Sequence, residues 1–116
     1  LKNKKMTVFE KIIAREIPAK IIFENQNLIV IEDINPKRAT HWLVITKTAY
    51  NKIQDIPSDQ SHIAQDILSV IQTLANQYHF SDNYQIIINN GSKAGQEVPH
   101  LHVHLLSSTK TTPNYL

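Results

Sequence analysis

The distribution of hydrophobic residues along the chain predicts five β-strands. Short runs rich in β-branched residues are separated by turn-forming asparagine, aspartate and proline, a pattern typical of strands joined by hairpins. The predicted strands are residues 20–24, 28–32, 41–46, 84–89 and 100–106. Strands that follow one another in hairpin-like order form an antiparallel sheet, so we predict a sheet of this kind.

Two segments carry apolar residues at helical spacing instead. A short helix is predicted to begin after Thr7, which forms a capping-box pattern with Glu10, and to be stopped by Pro18. A long helix is predicted over residues 58–79, where one apolar stripe runs along a polar segment. Either Ser58 or Ser61 is predicted to cap its start. A sheet with one long helix inserted belongs to the α+β class.

Composition narrows the classes of function. At 116 residues with 41% hydrophobic content, the chain is long enough for one domain with its own core. We predict a frayed N-terminus at residues 1–6, a single domain at residues 7–108 and a C-terminal tail at residues 109–116, which is either loose or docked on a partner subunit. A net charge of +2 without a basic face argues against nucleic-acid binding. The absence of cysteine excludes disulfides and thiolate sites, and no run is apolar enough for a membrane span, so we expect a soluble cytoplasmic protein.

The candidate chemistry lies in the last predicted strand. His100, His102 and His104 alternate strictly with apolar residues, so on a strand they share one face while the apolar side chains share the other. A single histidine is usually a surface or hydrogen-bonded core residue. Three adjacent imidazoles are costly to charge together near neutral pH, so this row indicates a chemical role.

The loop before this strand, residues 90–98, contains both glycines of the chain. Successive backbone N–H groups in a glycine loop can form an anion-binding concavity, although an ordinary hairpin connection is the alternative. Asn89 precedes the loop as a neutral donor. Asp33, after the second strand, is either a turn residue or an acceptor for ribose hydroxyls. Because residues 94–106 contain no lysine or arginine, donors to an anion there must be neutral groups or protonated histidine.

Three functions are consistent with this pattern. The first is nucleophilic attack on phosphorus by a neutral imidazole, with its neighbours donating hydrogen bonds to the phosphoryl oxygens. The second is a hydrolase with a metal bound by the three histidines, since zinc takes three histidines and a water. The glycine loop, Asn89 and Asp33 favour a phosphate site, so we expect no metal ligands and no required cofactor, and at most adventitious zinc. The third is a nucleotide-binding regulator with little turnover.

The motif resembles that of a known family. Residues 100–106 match the signature of the histidine triad (HIT) superfamily, in which three histidines alternate with apolar residues and two apolar residues follow. Further segments resemble the Hint branch of that superfamily: residues 9–13, 16–19, 33–36, 40–45, 89–92 and 95–98. Together they cover residues 8–106.

The resemblance implies a five-stranded antiparallel sheet with one short and one long helix, paired with a second copy into a ten-stranded dimer. It implies binding of purine nucleoside monophosphates and hydrolysis of their phosphoramidates through a nucleotidyl-histidine intermediate. By resemblance, His102 is the nucleophile, His104 holds the α-phosphate, and His100 and His41 orient the nucleophile. The implied phosphate-binding residues are Asn89, Gly95, Gln96, Glu97 and Val98. Asp33 is implied to bind the ribose. The implied base-binding residues are Phe9, Ile12, Ile17, Ile31, Ile34 and Leu43.

Overall fold

A computed structural model of the chain describes residues 5–116, which form a five-stranded antiparallel sheet with a helix on each face. The elements in chain order are α1 (Val8–Ile13), β1 (Ile21–Glu24), β2 (Leu28–Glu32), β3 (Thr40–Thr46), α2 (His62–Gln77), β4 (Gln85–Ile87) and β5 (His102–Ser107). Three short 3₁₀ turns lie at Ile53–Asp55, Ser58–Gln60 and Ser92–Ala94. The strand order is β1-β2-β3-β5-β4, and every pair is antiparallel. The predicted α+β class, the five-stranded sheet and the long helix are confirmed.

The two helices differ from their predicted bounds. The capping box at Thr7 and Glu10 is present, but α1 ends at Ile13, well before Pro18. The early end has a local cause, because Arg15 adopts a left-handed conformation with φ of 63° that cannot continue a helix. The predicted long helix is divided: a 3₁₀ turn occupies its first residues, and α2 follows. Ser61 stands at the start of α2 without the predicted side-chain hydrogen bond.

Three strands are also shorter than predicted, and β1 loses only its first residue. β4 spans three residues, and β5 begins at His102, so His100 lies before the strand. The preceding segment makes other hydrogen bonds, since Leu101 N–H donates to the carbonyl of Tyr50 at 2.7 Å and His100 N–H donates to that of Val98 at 2.8 Å. The first histidine therefore occupies a bend, and only the second and third occupy strand positions.

The alternation of side chains along the strands separates two cores. On one face, α2 packs on a buried layer from the central strands: Leu28, Val30, Trp42, Val44, Val103 and Leu105. On the other face, α1 packs on a smaller buried layer: Ile29, Ile31, Leu43 and Ile45. Only Phe9 and Ile12 of α1 are buried there, because the helix has six residues. The histidines of β5 share this second face.

The tail at residues 109–116 contacts the sheet of its own protomer. Thr40 Oγ1 donates to the carbonyl of Thr109 at 2.7 Å, and Leu116 N–H donates to that of Ile21 at 2.8 Å. The Tyr115 hydroxyl donates to the Glu32 carboxylate, which raises the pKa of Tyr115 to about 12. The predicted fraying of residues 1–6 falls mostly outside the described residues. Within residues 5–116, neither helix has the length and apolarity that crossing a bilayer requires.

Candidate active site

A cavity of about 540 Å³ opens between α1, the glycine loop and the histidine face of the sheet. Most of the predicted site residues line it: Phe9, Ile12, Ile31, Asp33, Ile34, His41, Leu43, Asn89, Gly95, Glu97, Val98, His102 and His104. Three predicted residues, Ile17, Gln96 and His100, lie outside the lining. The fold thus brings together residues from four separate stretches of the chain.

Strand pairing explains how the histidines meet. In the register of β3 with β5, Leu43 lies opposite His104 and Ile45 lies opposite His102. These four residues share the face toward α1, while their neighbours in sequence point toward α2. His41 is on the same face, two residues before Leu43, and so reaches His104 from the adjacent strand.

His102 is held in a single neutral tautomer. Its Nδ1 lies 2.6 Å from the carbonyl oxygen of His100, and because a carbonyl only accepts, Nδ1 carries the proton. The lone pair is therefore on Nε2. The ring packs edge-on against Phe9, with centroids 4.9 Å apart, which fixes its plane. This is the arrangement of an oriented nucleophile.

His100 serves as the support behind that nucleophile. It is fully buried, and its Nε2 donates to the carbonyl of Thr46 at 2.6 Å. Its own carbonyl is the acceptor for His102, so fixing the ring and backbone of His100 also fixes His102. His100 therefore positions the His102 ring from outside the cavity.

His41 and His104 form a directed chain of hydrogen bonds. The backbone N–H of Lys37 donates to His41 Nδ1 at 3.0 Å, so in the neutral ring the proton is on Nε2. His41 Nε2 lies 2.9 Å from His104 Nδ1 and donates to it, which leaves His104 with its proton on Nε2. His104 is half-buried at the cavity wall. The chain therefore supplies an N–H donor suited to a phosphoryl oxygen.

All three imidazoles at the cavity favour the neutral form. Burial lowers the pKa of His102, His104 and His41 below the ordinary value, and it is the largest cause for each. The carboxylates of Asp33 and Glu97 raise the pKa of His102 and of His104 in part. Near neutral pH, Nε2 of His102 therefore keeps its lone pair, and the hydrogen bonds from Lys37 through His41 to His104 keep their direction.

The glycine loop is shaped by two left-handed residues and a buried amide. Gly91 and Gly95 have φ values of 105° and 93°, which side chains rarely adopt, so these positions require glycine. Gln96 accepts from Gly91 N–H and donates to the carbonyl of Asn51, both at 2.7 Å. Gln96 therefore braces the loop from behind, while Gly95, Glu97 and Val98 line the cavity.

Asp33 is a turn residue, as its sequence position allowed, and it also lines the cavity. Its Oδ1 accepts from the N–H of Asn35 at 2.8 Å, as in a turn. Its Oδ2 lies 3.4 Å from His41 Nε2 and borders the cavity. One oxygen is used by the turn, and the other is available to a ligand.

Several cavity residues were missed by sequence reasoning. They are Val8, Asn35, Lys37, Arg38, Gln85, Ile87 and Leu106. The prediction of neutral donors considered only residues 94–106, whereas the two basic side chains come from the turn after β2. Their position three and four residues before His41 was the signal that could have identified them.

Asp33, His41 and His104 each offer a ligand atom, and these atoms lie within 4.8 Å of one another. The protonation pattern does not suit a metal there, because the Lys37 N–H occupies the lone pair of His41 Nδ1 and leaves the proton on the nitrogen that faces His104. Two nitrogens bound to a tetrahedral zinc lie roughly 3.3 Å apart, which is longer than the 2.9 Å found here. The trio as it stands is a hydrogen-bonded group, and zinc there would require the other tautomer of His41 and a wider separation of the His41 and His104 nitrogens.

The antiparallel sheet thus presents alternating histidines to a cavity that the glycine loop borders. Residues 14–111 match the HIT domain model, and the chain belongs to the HIT family. A HIT-like protein of Chlamydia pneumoniae is 42% identical over 101 residues, which are 87% of this chain and 92% of that protein.

Solved structures agree with this assignment. A HIT family hydrolase from Legionella pneumophila Philadelphia 1 is 38% identical with a TM-score of 0.83, covering 90% of this chain and 95% of that one. A histidine triad nucleotide-binding protein from Candida albicans is 30% identical with a TM-score of 0.78, covering 96% and 83%.

Zinc is named for two other relatives. A 14 kDa zinc-binding protein of Zea mays is 36% identical, covering 86% of this chain and 80% of that protein. A Zn-bound histidine triad family protein from Mycobacterium smegmatis is 30% identical with a TM-score of 0.73, covering 92% and 83%.

Proposed function

We propose that this protein is a nucleotide hydrolase that cleaves purine nucleoside 5′-phosphoramidates, and related nucleotidyl P–N or P–O bonds, to the nucleoside monophosphate. The observation that carries the proposal is the tautomer of His102. Its Nδ1–H is bound to the carbonyl of His100 at 2.6 Å, which leaves Nε2 as a lone pair on a ring whose pKa is lowered by burial. The relatives described as a hydrolase and as a nucleotide-binding protein support it.

The reaction proceeds in two displacements at phosphorus. His102 Nε2 attacks the phosphorus, the P–N bond of the substrate breaks, and the leaving nitrogen takes up a proton delivered through water or Glu97. Water then attacks the phosphorus and gives up a proton to solvent or Glu97, the bond to Nε2 breaks with its electron pair returning to Nε2, and the monophosphate is released. His104 Nε2–H and the backbone N–H groups of the glycine loop donate to the phosphoryl oxygens, where negative charge accumulates.

The remaining cavity residues bind the nucleoside. Asp33 Oδ2 accepts from the ribose hydroxyls, since the turn uses only its other oxygen. The base lies against the apolar wall of the cavity: Phe9, Ile12, Ile31, Ile34 and Leu43. Ile34 is 91% exposed at the rim, so a bound base would remove it from water.

We further propose that two copies pair through β4. The β1 edge is partly covered, because Leu116 N–H donates to the carbonyl of Ile21 there. β4 is the other edge strand, and Ile86 within it and Ile88 just after it are each 39% exposed. Antiparallel pairing of two β4 strands gives a ten-stranded sheet. Light scattering should give a dimer mass, and Ile86→Lys should shift it toward the monomer; a wild-type monomer at high concentration would contradict the pairing.

The deciding experiment is turnover of adenosine 5′-phosphoramidate in excess chelator, with acid-quenched mass spectrometry of the protein. We expect turnover that resists the chelator and a protein that is heavier by one adenylyl group. Peptide mapping should locate that adenylyl group on a histidine. His102→Ala should lose both, while His62→Ala, an exposed histidine outside the cavity, should keep both.

Two results would contradict the proposal. Activity that is lost on chelation and restored by zinc would indicate the metal hydrolase. Nucleotide binding without any turnover would indicate the regulatory protein.

A further inference from the structure

Two basic side chains border the cavity, and neither is neutralised. In the part of the chain that the structure describes, Lys37 and Arg38 are the only lysine and arginine in its lining. Lys37 Nζ donates to the carbonyl of Asn35 at 3.2 Å, and Arg38 Nη1 donates to that of Lys37 at 2.8 Å. Within residues 5–116, no carboxylate lies within ion-pairing distance of either. Two unpaired cations beside a phosphate site form an electrostatic feature that attracts anions.

The turn that carries them is held rigidly against the catalytic histidines. Lys37 N–H donates to His41 Nδ1, Asp33 N–H donates to the carbonyl of His41 at 2.9 Å, and Asn35 N–H donates to Asp33 Oδ1. The two cations therefore extend from a hydrogen-bonded backbone next to His41, and the Lys37 N–H of that backbone meets His41 on the side of the ring opposite His104.

The turn that carries Lys37 and Arg38 contacts His41 rather than the two histidines proposed to lie at the reacting phosphorus. The cations lower the pKa of His41, whereas the carboxylates that act on His102 and His104 are those of Asp33 and Glu97. The phosphate bound at His102 and His104 already has donors from the glycine loop and from His104. Lys37 and Arg38 are therefore suited to a second negative charge, farther along the substrate.

We propose that Lys37 and Arg38 form a second anion-binding subsite, which selects substrates whose leaving group carries a carboxylate or a phosphate. The subsite rests on the proposed function, since a leaving group exists only if the phosphorus at His102 is attacked. In the carboxylate case, the P–N bond breaks, and the leaving group is an amine that carries a carboxylate and takes up a proton on its nitrogen. In the phosphate case, a P–O bond breaks and phosphate leaves.

The test compares two isosteric phosphoramidates of adenosine 5′-monophosphate, one of 4-aminobutanoate and one of 4-aminobutanamide, which differ by one charge. We expect wild type to favour the charged substrate by about tenfold in kcat/KM, the effect of two partly exposed charge contacts. Lys37→Gln with Arg38→Gln should bring the ratio close to one, and Lys37→Glu with Arg38→Glu should invert it. The matched control, Lys20→Gln with Lys110→Gln, removes the same charge from exposed residues outside both the cavity and the glycine loop and should keep the wild-type ratio.

A binding measurement separates this proposal from the proposed function. By calorimetry, wild type should bind ADP more tightly than AMP, and the Lys37→Gln, Arg38→Gln protein should lose that difference whether or not turnover occurs. If wild type prefers the aminobutanoate over the aminobutanamide substrate but binds ADP and AMP equally, the subsite binds a carboxylate. If it prefers only ADP over AMP, the subsite binds a phosphate. The subsite would be overturned if the Lys37→Gln, Arg38→Gln protein kept both wild-type ratios, namely the kcat/KM ratio of the two phosphoramidates and the affinity ratio of ADP and AMP.

Discussion

The two faces of the sheet are built from the same strands but are covered to different extents. The face toward α2 is covered by a 16-residue helix and buries an uninterrupted apolar layer. The face toward α1 is covered by a helix of six residues, and beyond its end lie the histidines and the cavity. Neighbouring residues on one strand therefore belong to different environments, as with Trp42 on the first face and His41 on the second.

The difference shows how a small domain separates stability from chemistry. One long helix completes the core on its face, so the other face does not have to be closed. The shorter helix leaves room for a ligand while Phe9 still fixes the ring of His102. His41 and Trp42 test this division directly, because they are adjacent in sequence and their side chains lie on opposite faces of the sheet.

The largest effect on stability is expected from Trp42→Ala. Trp42 is 1% exposed and packs edge-on against Tyr78 and Phe80, so its truncation should lower the free energy of unfolding by about 3–5 kcal/mol. Urea denaturation measures the loss, and Trp42→Phe should recover a large part of it. Folded Trp42→Ala protein at low temperature should still turn over substrate, and a complete loss of activity in folded protein would contradict the separation of the two faces.

A change of the adjacent residue should affect turnover instead. His41→Phe removes the N–H that fixes the tautomer of His104, so kcat should fall roughly 100-fold, as expected when a positioned proton donor is lost. Nitrogen NMR of His104 should show a mixture of tautomers in the variant. His41→Gln, whose side chain can still donate a hydrogen bond, should recover part of the rate. An unchanged His104 spectrum in His41→Phe would contradict the hydrogen bond by which His41 fixes the tautomer of His104.

The pH profile should respond more weakly to Glu97→Gln. Glu97 raises the pKa of His102, so removing its charge lowers that pKa and keeps the nucleophile neutral to lower pH. The acid limb of kcat/KM should therefore move to lower pH, while Glu16→Gln, outside the cavity, should leave it in place. If the limb stays fixed and turnover is unchanged, Glu97 has neither an electrostatic nor a proton-transfer role.

The smallest effect is expected at the end of α2. His79 has a φ of 63° where the helix ends, with Phe80 N–H bonded to the carbonyl of Ala75, a position that favours glycine. His79→Gly should therefore stabilise the fold by about 0.5–1 kcal/mol, measured as an increase in Tm. His79→Ala keeps the strained side chain and should not, and turnover should be equal in all three proteins.

The sequence predicted those parts of the molecule that follow from local periodicity. The alternation at residues 101–105 was enough to assign His102 and His104 to one face. It did not predict that His100 precedes the strand, because a hydrogen bond from Leu101 to Tyr50, 51 positions earlier, ends the pairing. Lys37 and Arg38 were missed for the same reason, since only the tertiary fold brings their turn to the histidines.

The hydrogen bond from Lys37 N–H to His41 has a consequence for how residue 37 tolerates substitution. The donor is a main-chain group, so nineteen of the twenty amino acids supply it equally well and only proline does not. In a saturation library scored on a substrate with a neutral leaving group, position 37 should accept nearly every residue, with a single sharp gap at proline. The side chain of residue 37 can therefore vary with the charge of the leaving group, while its backbone N–H continues to determine which nitrogen of His41 carries the proton.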